Sequence, residues 1–369
     1  MLKQFGLIPM LYIFKILLSL FVCLNLCHAQ ETGCFKLNAQ SDLQLETSIN
    51  FSKYNAFFVG EFHGVFGVPE VKLALIKYLN QTQGITDVFM EIGTGAAWMY
   101  NSYLETGDTL FINKPVLPYS QQKNYRTFWQ ALYNYNSGLN KKLRIHGIDF
   151  ERIEFIKVLR MLKPHEKTIP LSIKNTIRFI DTVTLQNEPA LYTEDFSEQN
   201  DIYEKVRAEM DANRQEFEFY YAEDFPVVAR MMFNENTYRN YDKRNKAMYH
   251  NTVKEMADDG IQKFVLFAGM NHGNKNGLGT LSNRLKNNKQ LQHHFAEIDM
   301  LCKDCYEGHV HFDYKGPNSF DKLVLMPIIY NNYFNTGCKY TMIATDTIED
   351  KIAQHYSDYL ILMKEQPDY

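Results

Sequence analysis

Ala56-Phe57-Phe58-Val59-Gly60-Glu61-Phe62-His63-Gly64 decides the fold. Four apolar residues in a row, three of them β-formers, read as a strand buried on both faces. The run stops at a glycine and passes at once into an acid and an imidazole. Val71 to Leu79 (VKLALIKYL) then repeats its apolar positions at helical spacing. A buried strand that leads into a helix is the first unit of a parallel α/β sheet.

The same rhythm recurs outward from that stretch. Asp87-Val88-Phe89-Met90 reads as a second strand, followed by helix over Ala96–Tyr103 and over Tyr125–Tyr135. Leu143 to Asp149 (LRIHGID) is a third strand and Lys263 to Ala268 (KFVLFA) a fourth, with a helix over Arg239–Met256 before it. The expected fold class is therefore α/β, a mostly parallel sheet flanked by helices. Residues 151–235 break the alternation. They are long, polar and helical in pattern, and are expected to form an insertion that caps the sheet and lines a pocket. The core would comprise residues 30–150 and 236–369. Residues 30–50 read as an irregular entry segment, and Gly308–Phe312, Leu323–Met326 and Tyr359–Met363 as late strands.

The chain has 369 residues, 45% of them hydrophobic, enough to bury a full core. The formal net charge is -4, and no basic stripe marks a nucleic-acid surface. Lys3 and Lys15 precede the short apolar run Ile16–Leu26, and Cys27-His28-Ala29 ends on a small residue. That order is a secretory signal over residues 1–29, with cleavage after Ala29 and no stable membrane span afterwards. The expected location is periplasmic or extracellular. Export would permit disulfides among Cys34, Cys302, Cys305 and Cys338, in any of three connectivities, with a local structural bridge across Cys302-Lys303-Asp304-Cys305 favoured over a metal site.

The chemistry gathers at strand ends, where open parallel sheets bind ligands. The first strand ends in Glu61 and His63, the second in Glu91, the fourth in Asn271 and His272. The third adds His146 and Asp149. Taken singly, each is more often a loop side chain or a surface charge. Taken together, these acids and imidazoles make a candidate site. In extended geometry Glu61 and His63 point the same way. A carboxylate beside an imidazole fixes its tautomer and raises its basicity, which suits a base that strips a proton from water. His272 could then protonate a leaving group or hold an oxyanion. No Gly-x-Ser-x-Gly elbow supplies a nucleophile.

These motifs, in this order over roughly residues 54 to 275, resemble the erythromycin esterase family and its wider relatives, the ChaN-like haem-binding proteins and the TIKI-type proteases. Gly60-Glu61-Phe62-His63-Gly64 is similar to the family's Gly-Glu-x-x-His-Gly, one residue shorter. Glu91 takes the place of the acid ending the next strand. Phe128-Trp129 precedes His146-Gly147-Ile148-Asp149, similar to an aromatic helix leading to Gly-x-Asp. Arg244-Asn245-Lys246-Ala247-Met248-Tyr249-His250-Asn251 follows the family's Arg-Asp-x-x-Met-x-x-Asn with Asn245 in place of the acid. Ala268-Gly269-Met270-Asn271-His272 follows its Ala-His-Asn-x-His with Gly269 in place of the first histidine. The resemblance implies hydrolysis of an ester or related acyl bond in a small-molecule substrate, without metal or other cofactor. His63 would activate water, Glu61 and Glu91 would be its acidic partners, and His272 the second catalytic histidine. Arg244, His146, Asp149 and Asn271 would bind substrate. Two other readings stay open: a TIKI-like metallohydrolase using His63, His272 and a glutamate, and a ChaN-like envelope protein binding haem or another flat apolar ligand.

Overall fold

The computed structural model describes residues 32–39, 42–113, 123–164, 168–183, 196–238, 240–307, 310–315, 325–348 and 357–364. The signal expected over residues 1–29 lies outside them. The centre is a sheet whose parallel part runs β10(Tyr359–Lys364), β7(Phe295–Glu307), β3(Ala56–Glu61), β6(Phe264–Gly269), β4(Asp87–Met90) and β5(Arg144–Gly147). All five pairings in that series are parallel. Beyond β10 the sheet turns antiparallel through β9(Tyr340–Ala344), β1(Thr32–Leu37) and β2(Leu43–Thr47), and β8(Val310–Lys315) returns along β7. The chain is an α/β protein with a mostly parallel sheet flanked by helices.

The central strands are buried throughout because their side chains alternate between two helical layers. On β3, Phe57 and Val59 enter one apolar cluster, and Ala56 and Phe58 enter another. The first layer holds α1(Val68–Gln83), α2(Thr94–Thr106) and α3(Lys123–Ser137). The opposite layer holds α9(Tyr241–Asp259) and α10(Leu281–Lys286). Pro69 opens α1, where its missing N–H costs nothing, and Gly84 closes it at φ 68°, the left-handed conformation that suits glycine. Asn240 caps α9 through its side chain, which accepts from the Lys243 N–H.

Within residues 151–235 lie α4(Glu154–Met161), α5(Lys174–Thr182), α6(Ser197–Ala212), α7(Arg214–Tyr221) and α8(Phe225–Phe233). Their apolar faces join the cluster of the first layer through Phe155, Ile177, Tyr203, Phe217 and Met231.

Two sequence expectations are corrected, and two strands were not foreseen. Residues 30–50 hold a β-hairpin rather than an irregular segment: Leu43 and Leu45 alternate with Gln44 and Glu46, and β2 pairs with β1 as its edge strand. Each strand is only five or six residues long, too short for alternation to stand out. Of the expected strand Leu323–Met326, the first two residues lie outside the described ones and the last two are helical. From Leu325 the chain is α11(Leu325–Tyr333), whose Met326, Ile329 and Tyr330 pack at helical spacing on Leu301, Leu360 and Leu362. The long β7 and the short β9 were not anticipated, because Glu297, Asp299 and Thr341 interrupt their apolar runs. Of the other late segments, Gly308–Phe312 falls partly outside the described residues, with β8 starting at Val310, and Tyr359–Met363 is β10. Two disulfides are present, Cys34–Cys338, which fastens β1 beside the start of β9, and the local Cys302–Cys305.

Candidate functional site

The parallel register sets Glu61 beside Gly269 and Met90 beside Phe267, so the ends of β3, β4 and β6 finish level. Glu91 lies one residue past β4, and its N–H is still held by the Phe267 carbonyl at 3.1 Å. From that fixed point its buried carboxylate reaches four groups. Oε1 is 2.5 Å from Arg244 Nη2 and 3.3 Å from His272 Nε2. Oε2 accepts from the Gly269 N–H at 2.6 Å and lies 3.4 Å from His63 Nε2. Burial alone would raise this carboxyl, but the charge and hydrogen bond of His272, then those of His63, hold it well below the usual carboxylate range.

His63 stands at the mouth of the site with 59% of its side chain open to water, and its Nδ1 faces Glu61 Oε1 at 3.7 Å. Burial works to lower the imidazole. The interactions with Glu91 and then the charge of Glu61 outweigh it, and His63 is held above its ordinary value despite a smaller opposing effect of Lys72. Because so much of the ring meets solvent, desolvation is the weaker influence and the upward direction stands. Glu61 is itself fixed from below, since Oε2 is 2.7 Å from Lys72 Nζ, both side chains being buried. Lys72 rises from α1 and lies 5.0 Å from the Phe267 ring centroid.

Arg244, on α9, grips Asp149 through two bonds, Nε to Oδ1 at 2.9 Å and Nη2 to Oδ2 at 2.6 Å. Burial would lower the guanidinium, but Asp149 and Glu91 raise it, so it is a permanent cation. Asn245 Oδ1 accepts the Leu281 N–H at 3.2 Å, which fixes the amide's orientation. His272 Nδ1, 2.7 Å from the same oxygen, must then donate, and Nε2 is left facing Glu91. Tyr241 stacks on the His272 ring at 5.3 Å between centroids.

Glu61, His63, Glu91, Asp149, Arg244 and His272 are therefore brought together. Asn271 is exposed beside them. His146 is not part of the group. Ile145 points into the first layer, so its neighbour His146 turns to the α9 face, stacked on Phe89 at 4.6 Å. There its Nε2 lies 2.9 Å from Asp87 Oδ1 and its Nδ1 3.2 Å from Glu255 Oε2. It sits within a strand, not past its end, and lies apart from the residues gathered at Glu91.

Lys72, Tyr241 and Asn245 were not expected in the site. Lys72 carried a signal only in hindsight, a lone cation on the apolar side of a helix. Tyr241 carried none.

Among the described residues, the side chains that converge closely enough for a metal ion are His146, Glu255 and Asp259, with ligand atoms within 4.8 Å of one another. Their carboxylates are already paired: Arg230 Nη1 is 2.9 Å from Glu255, its Nη2 is 3.1 Å from Asp259, and Arg144 Nη2 is 3.3 Å from Asp259. That set does not fit a metal well. At the strand ends Arg244 already supplies Glu91 with the positive charge that a metal would bring. No helix among the described residues is long and apolar enough to cross a membrane.

Comparison with known proteins gives the fold. No family model matches the chain, and no curated protein does. Solved structures do match. A Bacillus cereus protein is 15% identical with a TM-score of 0.54, over 85% of this chain and 89% of that one. A structure described as a succinoglycan biosynthesis protein is 13% identical with a TM-score of 0.56, over 85% and 88%. An erythromycin esterase, EreC, in an open conformation is 11% identical with a TM-score of 0.52, over 85% and 91%. The chain shares the architecture of these proteins along most of its length.

Proposed function

We propose that this chain is an exported hydrolase that uses His63 to activate water against an ester or related acyl bond. The observation that carries the reading is the single buried carboxylate of Glu91, shared between His63, His272, Arg244 and a backbone N–H. The shared fold with an erythromycin esterase supports it.

The charges explain the chemistry. Glu61, Glu91 and Asp149 contribute three negative charges, and Lys72 and Arg244 two positive ones. One proton on the imidazole pair balances the group, and a second adds a charge. The site is thus built to gain and release one proton per turnover. Glu61 faces Nδ1 of His63 and favours its N–H, leaving Nε2 to take a proton from water. The water oxygen bonds the carbonyl carbon. The imidazolium that forms is stabilised by Glu91. His272 lies on the other side of Glu91, with Nδ1 on Asn245 and Nε2 facing the carboxylate, and steadies Glu91 as His63 gains its proton. Collapse breaks the bond to the leaving oxygen, which takes the proton back from His63, so atoms and charge balance.

Arg244 acts through the acids. By clamping Asp149 and Glu91 it keeps Glu91 ionised beneath both histidines. The helices of residues 151–235 would cap the pocket and choose the substrate. Two disulfides fit an oxidising compartment and the expected signal segment.

A panel of esters, lactones and peptides, each assayed with and without a chelator, tests this reading. Turnover of an ester or lactone that persists in chelator supports it. Peptide cleavage restored by a divalent metal would replace it with the metallohydrolase reading, and a Soret band on haem addition without turnover would favour ligand binding.

A further inference from the structure

Gly269 ends β6 at φ -53° and ψ 137°, a conformation open to any L-residue. Its lack of a side chain is therefore not explained by backbone freedom. Space explains it. A Cβ built on Gly269 would stand 2.9 Å from His63 Nε2, 3.2 Å from Glu91 Oε2 and 3.6 Å from His63 Cδ2. All three of these nearest atoms belong to the His63–Glu91 contact. We infer that Gly269 is a positioning residue: the empty place above its Cα is what lets the His63 ring lie against Glu91.

Physical consequences follow from which group can move. Glu91 cannot yield, because Arg244, His272 and the Gly269 N–H itself hold it. The His63 ring can, since it is largely open to solvent. A methyl group at position 269 therefore swings the imidazole outward and leaves the rest of the site as it was.

The test is Gly269→Ala, read first by histidine NMR titration with His63 assigned through His63→Gln. Wild-type His63 is expected to titrate above about 6.5, its ordinary value, and to fall toward it in the variant. Unchanged titration of His63 in folded Gly269→Ala overturns the inference. If Gly269→Ala does not fold, the double variant His63→Ala/Gly269→Ala decides. Folding of the double variant shows that the imidazole was the obstacle, and failure of both overturns the inference. The kinetic arm rests on the proposed hydrolysis: kcat should fall about 100-fold, as for a reacting group displaced by about 1 Å, with KM little changed. A shifted titration in a protein that turns over no ester would leave the positioning intact and remove the hydrolase reading.

Discussion

Replacing His146 with phenylalanine should destabilise the protein without touching its chemistry. The ring is buried, stacked on Phe89, and held between Asp87 at 2.9 Å and Glu255 at 3.2 Å. A carboxylate this close to each nitrogen favours the protonated ring. Removing one member of a buried ion pair costs roughly 3–5 kcal/mol, because the partner keeps its charge. Here Glu255 retains Arg230 and Asp87 retains Arg144 at 3.5 Å, so the lower end, about 3 kcal/mol, is expected. At about 2.1 cal/mol/K of unfolding entropy per residue, that is a fall in Tm of about 4 °C. The gap depends on pH. Burial would lower the His146 imidazole, but Asp87 and Glu255 raise it above its unfolded value. Its stabilisation is therefore complete below about pH 6.5 and fades as pH rises through the folded pKa. Thermal unfolding of both proteins from pH 5.5 to 9 should show the largest gap at the acid end. A gap that widens with pH, or a kcat loss per folded molecule, would refute the structural role assigned to His146.

Other outcomes follow from the same forces. Lys72→Met strands Glu61 as a buried anion, so it should cost roughly 3–5 kcal/mol in chemical denaturation and lower kcat as well, with Lys72→Arg milder in both. Burial pushes Asp299 up to about 7, so its native form binds a proton more firmly than the unfolded chain does and stability drops as pH rises from about 4 to 7. Asp299→Asn should remove that cost and match or exceed the wild type in urea at pH 8. A variant weaker at pH 8 than at pH 5, relative to the wild type, would speak against it. Replacing Cys34 and Cys338 together opens a loop of 304 residues and should cost on the order of 5 kcal/mol by loop entropy, measured as a lower denaturant midpoint.

The parallel centre was legible because β3, β4 and β6 are buried on both faces and read as unbroken apolar runs. Their polar ends marked the candidate site for the same reason: a strand that must be apolar inside shows its polar residues only where it stops. Glu61, His63, Glu91 and His272 could be named on that ground. The antiparallel edge was hidden because β2 buries only Leu43 and Leu45, and two residues do not establish a period. The placement of His146 was not legible, because nearness to a strand end says nothing about which face a side chain takes, and Ile145 already fills the first layer. Lys72 could not be found from its helix alone, since its partner Glu61 lies eleven positions upstream on a different element.

The most direct test of the account is His63→Ala, assayed on the best substrate of the ester and lactone panel and normalised to folded protein. Loss of a general base costs roughly 10²–10⁴-fold, so kcat should fall by that order with Tm nearly unchanged, because the ring is mostly exposed. His272→Ala should also be severe, and the double variant should lose far less than the product of the two, as groups acting as one unit do. A His63→Ala protein that keeps its rate per folded molecule would contradict the account.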